Sequence, residues 1–258
     1  MQNLDLRFLL SLVLINFLCA CQQPMAYETE RNLHVETKRQ APELYPYNVP
    51  PQVVYRIDDH RFVTLEGYNH CLGYGWYNDT RTGVRTKIGL MWPTGFRGKL
   101  IVDDPSGMNM AIPTVARGVC GDRGCLDYVA YSTDGGRTFS WIQYDIYDHS
   151  FDPVADSDRY AFVVTKDSMY IAMFRRKYKS IYGAQAPVNP DALDPQDGPS
   201  ITDRYPLAPG YVYGKDAKLP AGVGVQSDIS LPSGLRTPSG AERFTCDASI
   251  NDPKAPQP

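Results

Sequence analysis

The sequence contains none of the short motifs that mark the common enzyme classes. It has no G-x-S-x-G of serine hydrolases, no H-E-x-x-H of zinc proteases, no P-loop and no G-x-G-x-x-G. Histidine is scarce, with four residues scattered over 258 positions. These absences predict a protein that acts by binding, with no catalytic residues, no metal and no cofactor.

Strong net charge and long apolar runs are missing as well. The formal net charge is −3, whereas nucleic-acid binding calls for a basic patch, so we expect no nucleic-acid partner. Beyond the N-terminus no apolar stretch approaches the length needed to cross a bilayer of about 30 Å. No window of helical length shows regular apolar spacing at i, i+3, i+4 and i+7, which argues against a helical fold.

The N-terminus has the pattern of a bacterial lipoprotein signal. An apolar run from Phe8 to Leu18 follows Arg7 and ends in Leu18-Cys19-Ala20-Cys21, which resembles the lipobox. We therefore expect residues 1–20 to be a cleaved signal peptide and Cys21 to be acylated. By resemblance to the sorting rule of enteric-type bacteria, Gln22 after it favours the outer membrane, on the periplasmic face. The alternative is a buried N-terminal helix with two incidental cysteines.

Composition divides the rest of the chain into three parts. Residues 21–52 are polar and proline-rich, which predicts a flexible tether after the lipidated cysteine. Residues 53–185 carry the short runs of Val, Ile, Tyr, Phe and Thr that are typical of strands. Residues 186–258 hold twelve of the 21 prolines and predict an extension packed on the β domain. The alternative for this last part is a disordered tail.

The pattern of residues 53–185 predicts an all-β fold. Runs such as Tyr160–Val164 are apolar on both faces, which indicates packing between layers. We expect an antiparallel sandwich or propeller-blade-like sheets with a proline-rich C-terminal wrap. The predicted strands are Val53–Ile57, Arg61–Glu66, Val84–Trp92, Lys99–Val102, Leu126–Ser132, Thr138–Ile146, Tyr160–Thr165 and Met169–Arg175.

Four cysteines remain after export, because Cys19 leaves with the signal peptide and Cys21 is acylated. An even number in an oxidising compartment predicts two disulfides, with three possible connectivities. A turn-forming tetrapeptide separates Cys120 from Cys125 and favours a bridge between them. The remaining bridge would then join Cys71 to Cys246. A metal site is the alternative, although no histidine lies at ligand spacing to the central pair.

Residues 132–139, with the sequence STDGGRTF, resemble the Asp-box of sialidase-type propellers. Gly135 and Gly136 supply the positive φ that the turn needs, and Ser132 and Asp134 can bond the turn amides. The single box predicts a blade-like hairpin. It also leaves open a glycan-binding or sialidase-like module, for which several boxes and an arginine triad would be expected.

Two further groups of residues are candidates for function. Tyrosines are abundant and clustered, and aromatic side chains dominate protein interfaces. We interpret Tyr74, Trp76 and Tyr77 as a glycine-flanked recognition loop and Tyr144 and Tyr147 as a second contact group; the alternative for each is core packing. Asp58, Asp59 and His60 could form a metal or acid–base site, but capping of a turn by the aspartates is the interpretation we favour.

The segment PPQVVYRIDDHRFVTL, from Pro50 to Leu65, continues through Tyr77-Asn78-Asp79-Thr80 and resembles the lipase-immunity lipoproteins of type VI secretion systems. The resemblance extends through the Asp-box to about Tyr182. It implies a periplasmic protein that binds and blocks a secreted phospholipase toxin delivered by a neighbouring cell. The alternatives are a structural envelope lipoprotein without a toxin partner and the glycan-binding module.

Overall fold

Short strands dominate the computed structural model, which describes residues 47–115, 120–121, 124–144, 152–174, 178–181, 184–187, 199, 201–209, 213 and 224–252. The predicted signal peptide, Cys21, nearly all of the tether and Tyr147 lie outside these residues. The strands are β1 (Gln52–Arg56), β2 (Arg61–Asn69), β3 (Leu72–Asp79), β4 (Val84–Met91), β5 (Lys99–Val102), β6 (Met110–Pro113), β7 (Cys120–Gly121), β8 (Gly124–Cys125), β9 (Tyr128–Ser132), β10 (Ser140–Gln143), β11 (Tyr160–Val164), β12 (Ser168–Met173), β13 (Tyr178–Ile181), β14 (Ala184–Pro187) and β15 (Ile201–Pro206).

Three sheets account for most of these strands. Their orders are β1-β2-β3-β4, β10-β9-β6 and β15-β12-β11-β5, and two hairpins, β7-β8 and β13-β14, stand apart from them. The pairing is antiparallel except between β5 and β11, which run parallel. Within the described residues no sheet closes into a barrel. The all-β prediction is therefore confirmed, and the described strands form several mostly antiparallel sheets.

One short helix precedes β11. It is α1 (Pro153–Asp156), followed by a 3-10 turn at Ser157–Arg159. The carboxylate of Asp152 accepts a hydrogen bond from the Ala155 amide at 3.1 Å and caps the helix. In the part of the chain that is described, no helix has the length and apolar character to cross a membrane.

A single hydrophobic core joins the three sheets. All five residues of β11 are buried, as expected for a strand that is apolar on both faces. Phe96 links the sheets to the C-terminal region, because its ring lies edge-on to Phe162 at 5.7 Å and to Phe244 at 6.1 Å. Such edge-to-face pairs add specificity to burial.

The proline-rich C-terminal region contributes regular structure as well as packing. β15 lies at the edge of its sheet beside β12, where proline is tolerated because one side of the strand needs no ladder partner. Residues 237–246 then run along β1 and β5. Thr245 donates to the Val54 carbonyl at 2.8 Å, and Leu100 donates to the Glu242 carbonyl at 2.8 Å.

Both cysteine pairs expected from the sequence are disulfide-bonded in the structure. Cys71–Cys246 closes a sequence separation of 175 residues, and Cys120–Cys125 closes one of five. The first bond attaches the C-terminal segment to the turn between β2 and β3. The second joins directly opposed residues of the β7-β8 hairpin.

Seven of the described strands were not expected from the sequence, namely β3, β6, β7, β8, β13, β14 and β15. β3 contains Gly73 and Gly75, which suggested a loop, while β6 is only four residues long and β15 lies in the proline-rich region. A methyl group at Gly75 would lie 1.9 Å from the Met91 sulfur. Glycine is present there because a neighbouring side chain fills the space above the strand.

Candidate functional site

The outward side of the β1–β4 sheet is a surface formed by alternate residues of its strands, which are exposed or half-buried except for Thr64. Cross-strand pairing places Thr64 and Lys87 opposite Trp76, and Glu66 opposite Tyr74. Side chains of the other parity, such as Leu65 and Tyr77, point into the core. We call this surface the outer face and define it by Arg56, Phe62, Thr64, Glu66, Tyr74, Trp76, Asn78, Arg85, Lys87 and Leu90.

Cationic side chains lie over aromatic rings across the outer face. The Arg85 guanidinium carbon is 4.0 Å from the Trp76 ring centroid, and the Lys87 ammonium is 3.5 Å from that of Tyr74. Arg56 lies 5.0 Å above Phe62. Each contact is worth about 0.5–1 kcal/mol at an exposed position. The repeated pairing holds long side chains flat against the strands.

Arg85 is fixed further by an ion pair. Its Nη2 donates to both carboxylate oxygens of Glu66, at 2.8 and 2.7 Å. The Glu66 carboxylate also accepts a hydrogen bond from Thr64 at 3.0 Å, and the amide of Asn78 donates to Thr64 at 3.1 Å. Thr64, Glu66, Asn78 and Arg85 thus form one connected network, which stiffens the middle of the outer face before any partner arrives.

The outer face carries a positive charge although the whole chain carries −3. Its charged residues are three cations, Arg56, Arg85 and Lys87, and one anion, Glu66. Glu66 is paired with Arg85. Neither Arg56 nor Lys87 has a carboxylate partner among the described residues. Two positive charges of this surface therefore remain available to a partner.

The structure separates the aromatic residues that were predicted to bind a partner. Tyr74 and Trp76 lie together on the outer face, half-buried. Tyr77 has 0% exposure and Tyr144 has 3%, so neither can contact a partner in this fold. Tyr144 packs edge-on against Tyr160 and Phe162, at 4.9 and 5.0 Å.

The loop interpretation of residues 74–77 is therefore wrong, because they form the middle of β3. The period-2 alternation of Tyr74, Trp76 and Asn78 was the signal that could have identified an exposed strand face. The intervening glycines concealed it. Tyr147 lies outside the described residues.

The Asp-box is a structural element of the β9-β10 hairpin. The Ser132 hydroxyl accepts from the Gly136 amide at 2.9 Å, and the Thr138 hydroxyl donates to Asp134 at 2.6 Å. Burial raises the pKa of Asp134, but hydrogen bonds from Thr138 and Ser132 outweigh it and leave the pKa below the usual value. These polar groups are all used within the turn, so the box supports the fold.

A cleft of about 440 Å³ lies beside the turn between β1 and β2 and includes the predicted metal or acid–base residues. Asp58 accepts from the amides of His60 and Arg61 at 3.0 and 2.7 Å, and from the Arg61 side chain at 2.7 Å. The ligand atoms of Asp58, Asp59 and His60 lie within 4.8 Å of one another. Asp58 caps the turn, as favoured above. Asp59, in contrast, is 83% exposed and accepts no hydrogen bond from a turn amide among the described residues.

Asp79 connects this turn to β3. Its carboxylate lies 2.8 Å from Nδ1 of His60 and accepts hydrogen bonds from the Thr82 hydroxyl at 2.8 Å and the Arg81 amide at 2.9 Å. Burial raises the pKa of Asp79, but the hydrogen bonds from His60 and Thr82 outweigh it and lower the pKa from 3.8 to about 2. The ionised carboxylate is thus the form that the fold stabilises.

Acid titration should reveal this contribution. Because the folded pKa lies below the unfolded one, the stabilisation is present above about pH 4 and is lost as the pH falls towards 2. Asp79→Asn is expected to lower the free energy of unfolding at pH 7 by about 1–2 kcal/mol and to flatten its decline between pH 4 and 2. Urea midpoints across a pH series measure both; parallel curves for the variant and the wild type would contradict the assignment.

The described residues define a class of protein, a β-sheet protein with a rigid aromatic and cationic surface on its β1–β4 sheet. Residues 47–173 match the family model described as T6SS Tli3 immunity protein, and the chain belongs to this family. The match begins just before β1 and ends with β12, so it includes the whole outer face. It confirms the resemblance to type VI secretion immunity proteins, and membership implies a type VI secretion toxin as partner. No curated protein matches the chain.

Proposed function

We propose that this protein neutralises a phospholipase toxin of a type VI secretion system by binding it, mole for mole, without chemistry of its own. The observation that carries the proposal is the family match over residues 47–173. A lipase is the toxin class that the sequence resemblance indicates, and phospholipids are the substrate that such a toxin would find in the cell envelope.

The arrangement of polar groups supports a binding role. The Asp-box residues hydrogen-bond within their own turn, and Asp58 and Asp79 are occupied by turn amides and neighbouring side chains. By contrast, Trp76 is half-buried on a strand whose neighbours hold it in place. A typical specific interface buries about 1,600 Å² in total, and a few aromatic residues supply most of its energy.

The proposal includes a location. Acylation of Cys21 would anchor the chain in the outer membrane on the periplasmic side, with residues 21–52 as the tether. The sequence Leu18-Cys19-Ala20-Cys21 supports this location. A coil of that length spans on the order of 30 Å, so the domain could meet a toxin that attacks the periplasmic leaflet before the toxin reaches the lipid.

Titration of the toxin tests the mechanism. A phospholipase toxin of a type VI secretion system is assayed on a fluorogenic phospholipid while the immunity protein is added in increasing amounts. Stoichiometric binding predicts that activity falls linearly and vanishes at about one immunity molecule per toxin when both are well above the dissociation constant. Complete inhibition at a small fraction of that ratio would show turnover and overturn the binding mechanism.

The same pair of proteins tests the location in cells. The toxin is directed to the periplasm of a strain that expresses the wild-type chain or Cys21→Ala. Loss of palmitate labelling and of protection in the variant supports an acylated, membrane-bound inhibitor. Labelling that persists in the variant would contradict acylation at Cys21.

A further inference from the structure

We infer that the outer face is the surface that docks on the toxin, and that the toxin meets it with an acidic patch around an apolar side chain. This inference rests on the proposed function and adds the surface and the chemistry of the partner. It is carried by three properties of the outer face: its exposed cations, its fixed geometry and the position of its rings.

Charge is the first property. Arg56 and Lys87 are exposed and have no carboxylate partner in the described part of the chain. Arg85 gives only Nη2 to Glu66, so its Nε and Nη1 donate to no acceptor among the described residues. Carboxylates are the groups that complement such donors, because they accept the charge-assisted hydrogen bonds that a guanidinium donates.

Geometry is the second property. Arg85 is held between the Trp76 ring at 4.0 Å and the Glu66 carboxylate at 2.7 Å, and the ammonium of Lys87 lies 3.5 Å from the Tyr74 ring. Side chains that are already ordered lose little conformational entropy when they bind. The outer face is therefore prepared to accept charges at defined positions.

The position of the rings favours a protein over a lipid surface as the partner of the outer face. Arg85 and Lys87 lie on top of Trp76 and Tyr74, so these rings do not project from the sheet as membrane-inserting side chains do. Leu90, 43% exposed on the adjacent strand, provides an apolar contact beside the cations. Carboxylates that surround an apolar side chain match this combination.

Variants of outer-face residues test the docking surface without removing core contacts. The chain carrying Cys21→Ala, so that no acyl group contributes, is compared with the added changes Arg56→Glu/Lys87→Glu and Trp76→Ala. Lys166→Glu and Tyr128→Ala are the matched controls, since both residues are exposed and lie away from the β1–β4 sheet. Thermal unfolding verifies that each variant folds.

Binding to the type VI secretion phospholipase is measured kinetically at several salt concentrations. Charge reversal is expected to lower the association rate by about 10-fold or more at low salt and to remove the decrease of that rate with rising salt. Trp76→Ala is expected to raise the dissociation constant by about 30-fold, as for an interface hot spot. The controls should bind like the wild type.

The possible outcomes distinguish an error in the docking surface from an error in the proposed function. If the wild type binds and inhibits the lipase but the outer-face variants bind equally well, the docking surface is wrong and the proposed function stands. If the wild type does not bind the lipase, both are overturned. The surface assignment also fails if the variants retain lipase binding but lose binding to vesicles of phosphatidylethanolamine and phosphatidylglycerol, since the face would then serve lipid.

Discussion

Removal of the Cys71–Cys246 disulfide by a double alanine substitution is expected to lower the free energy of unfolding by about 3–5 kcal/mol. The bond closes a sequence separation of 175 residues. In the chain-entropy model a loop of this length restricts the unfolded state by about 5 kcal/mol, the upper end of the observed range. That amount is comparable with the whole stability of a marginal domain. Denaturant unfolding under oxidising conditions measures the loss.

The second disulfide provides the matched control. Cys120–Cys125 spans five residues, and the same model gives about 2 kcal/mol for its removal. Alanine is used at all four positions because Cys71 is fully buried, where serine would introduce a hydroxyl without a partner. An equal loss from both double variants would show that loop length does not govern the effect.

The second large effect is expected at Tyr77, where alanine should lower the free energy of unfolding by about 3–5 kcal/mol. The ring is fully buried, lies against Gly136 and packs edge-on to Phe139 at 6.2 Å. Removing it leaves a cavity between β3 and the Asp-box hairpin. Because Trp76 points to the other side of the same strand, Trp76→Ala should cost less than about 1 kcal/mol of stability.

Phenylalanine at position 77 separates the ring from its hydroxyl. The Tyr77 hydroxyl is buried without a hydrogen-bond partner among the described residues. Burial and the nearby Asp79 carboxylate raise its pKa above the usual value, so it stays protonated. Tyr77→Phe is therefore expected to leave stability unchanged or to increase it by about 1 kcal/mol. Urea midpoints measure the change in stability. If Tyr77→Phe destabilised the protein as much as Tyr77→Ala, the hydroxyl would have an acceptor.

Short apolar runs bounded by polar residues were sufficient to predict some of the strands. β5 was predicted with its bounds intact, and β11 within one residue, because their apolar runs end at charged or polar residues. β3 was missed because two glycines interrupt its alternation. Tertiary contacts explain the two glycines, because Met91 packs over Gly75 and Tyr68 packs over Gly73. Propensity rules alone do not include such contacts.

The candidate site was predicted in part. Aromatic clustering identified Tyr74 and Trp76, which lie on the outer face, and also Tyr77, which is buried. In a strand, successive side chains point to opposite faces, and this alternation decides which of two adjacent aromatic residues is exposed. An interpretation of the segment as a loop supplies no such rule. Arg85 and Lys87 were not selected, because a charged residue in a strand is ordinary until its cross-strand neighbour is known to be an aromatic ring.

The segment from residue 237 to 246 has a consequence for self-association. β1 and β5 are the outermost strands of their sheets, and an unpaired outermost strand is a template on which another chain can add. The segment bonds to both: Ser239 and Thr245 donate to β1 and the adjoining turn, and Glu242 accepts from β5. A chain that ended before residue 237 would leave two sheet edges open at once. The C-terminal segment thus acts as a shield that keeps copies of the protein from joining edge to edge.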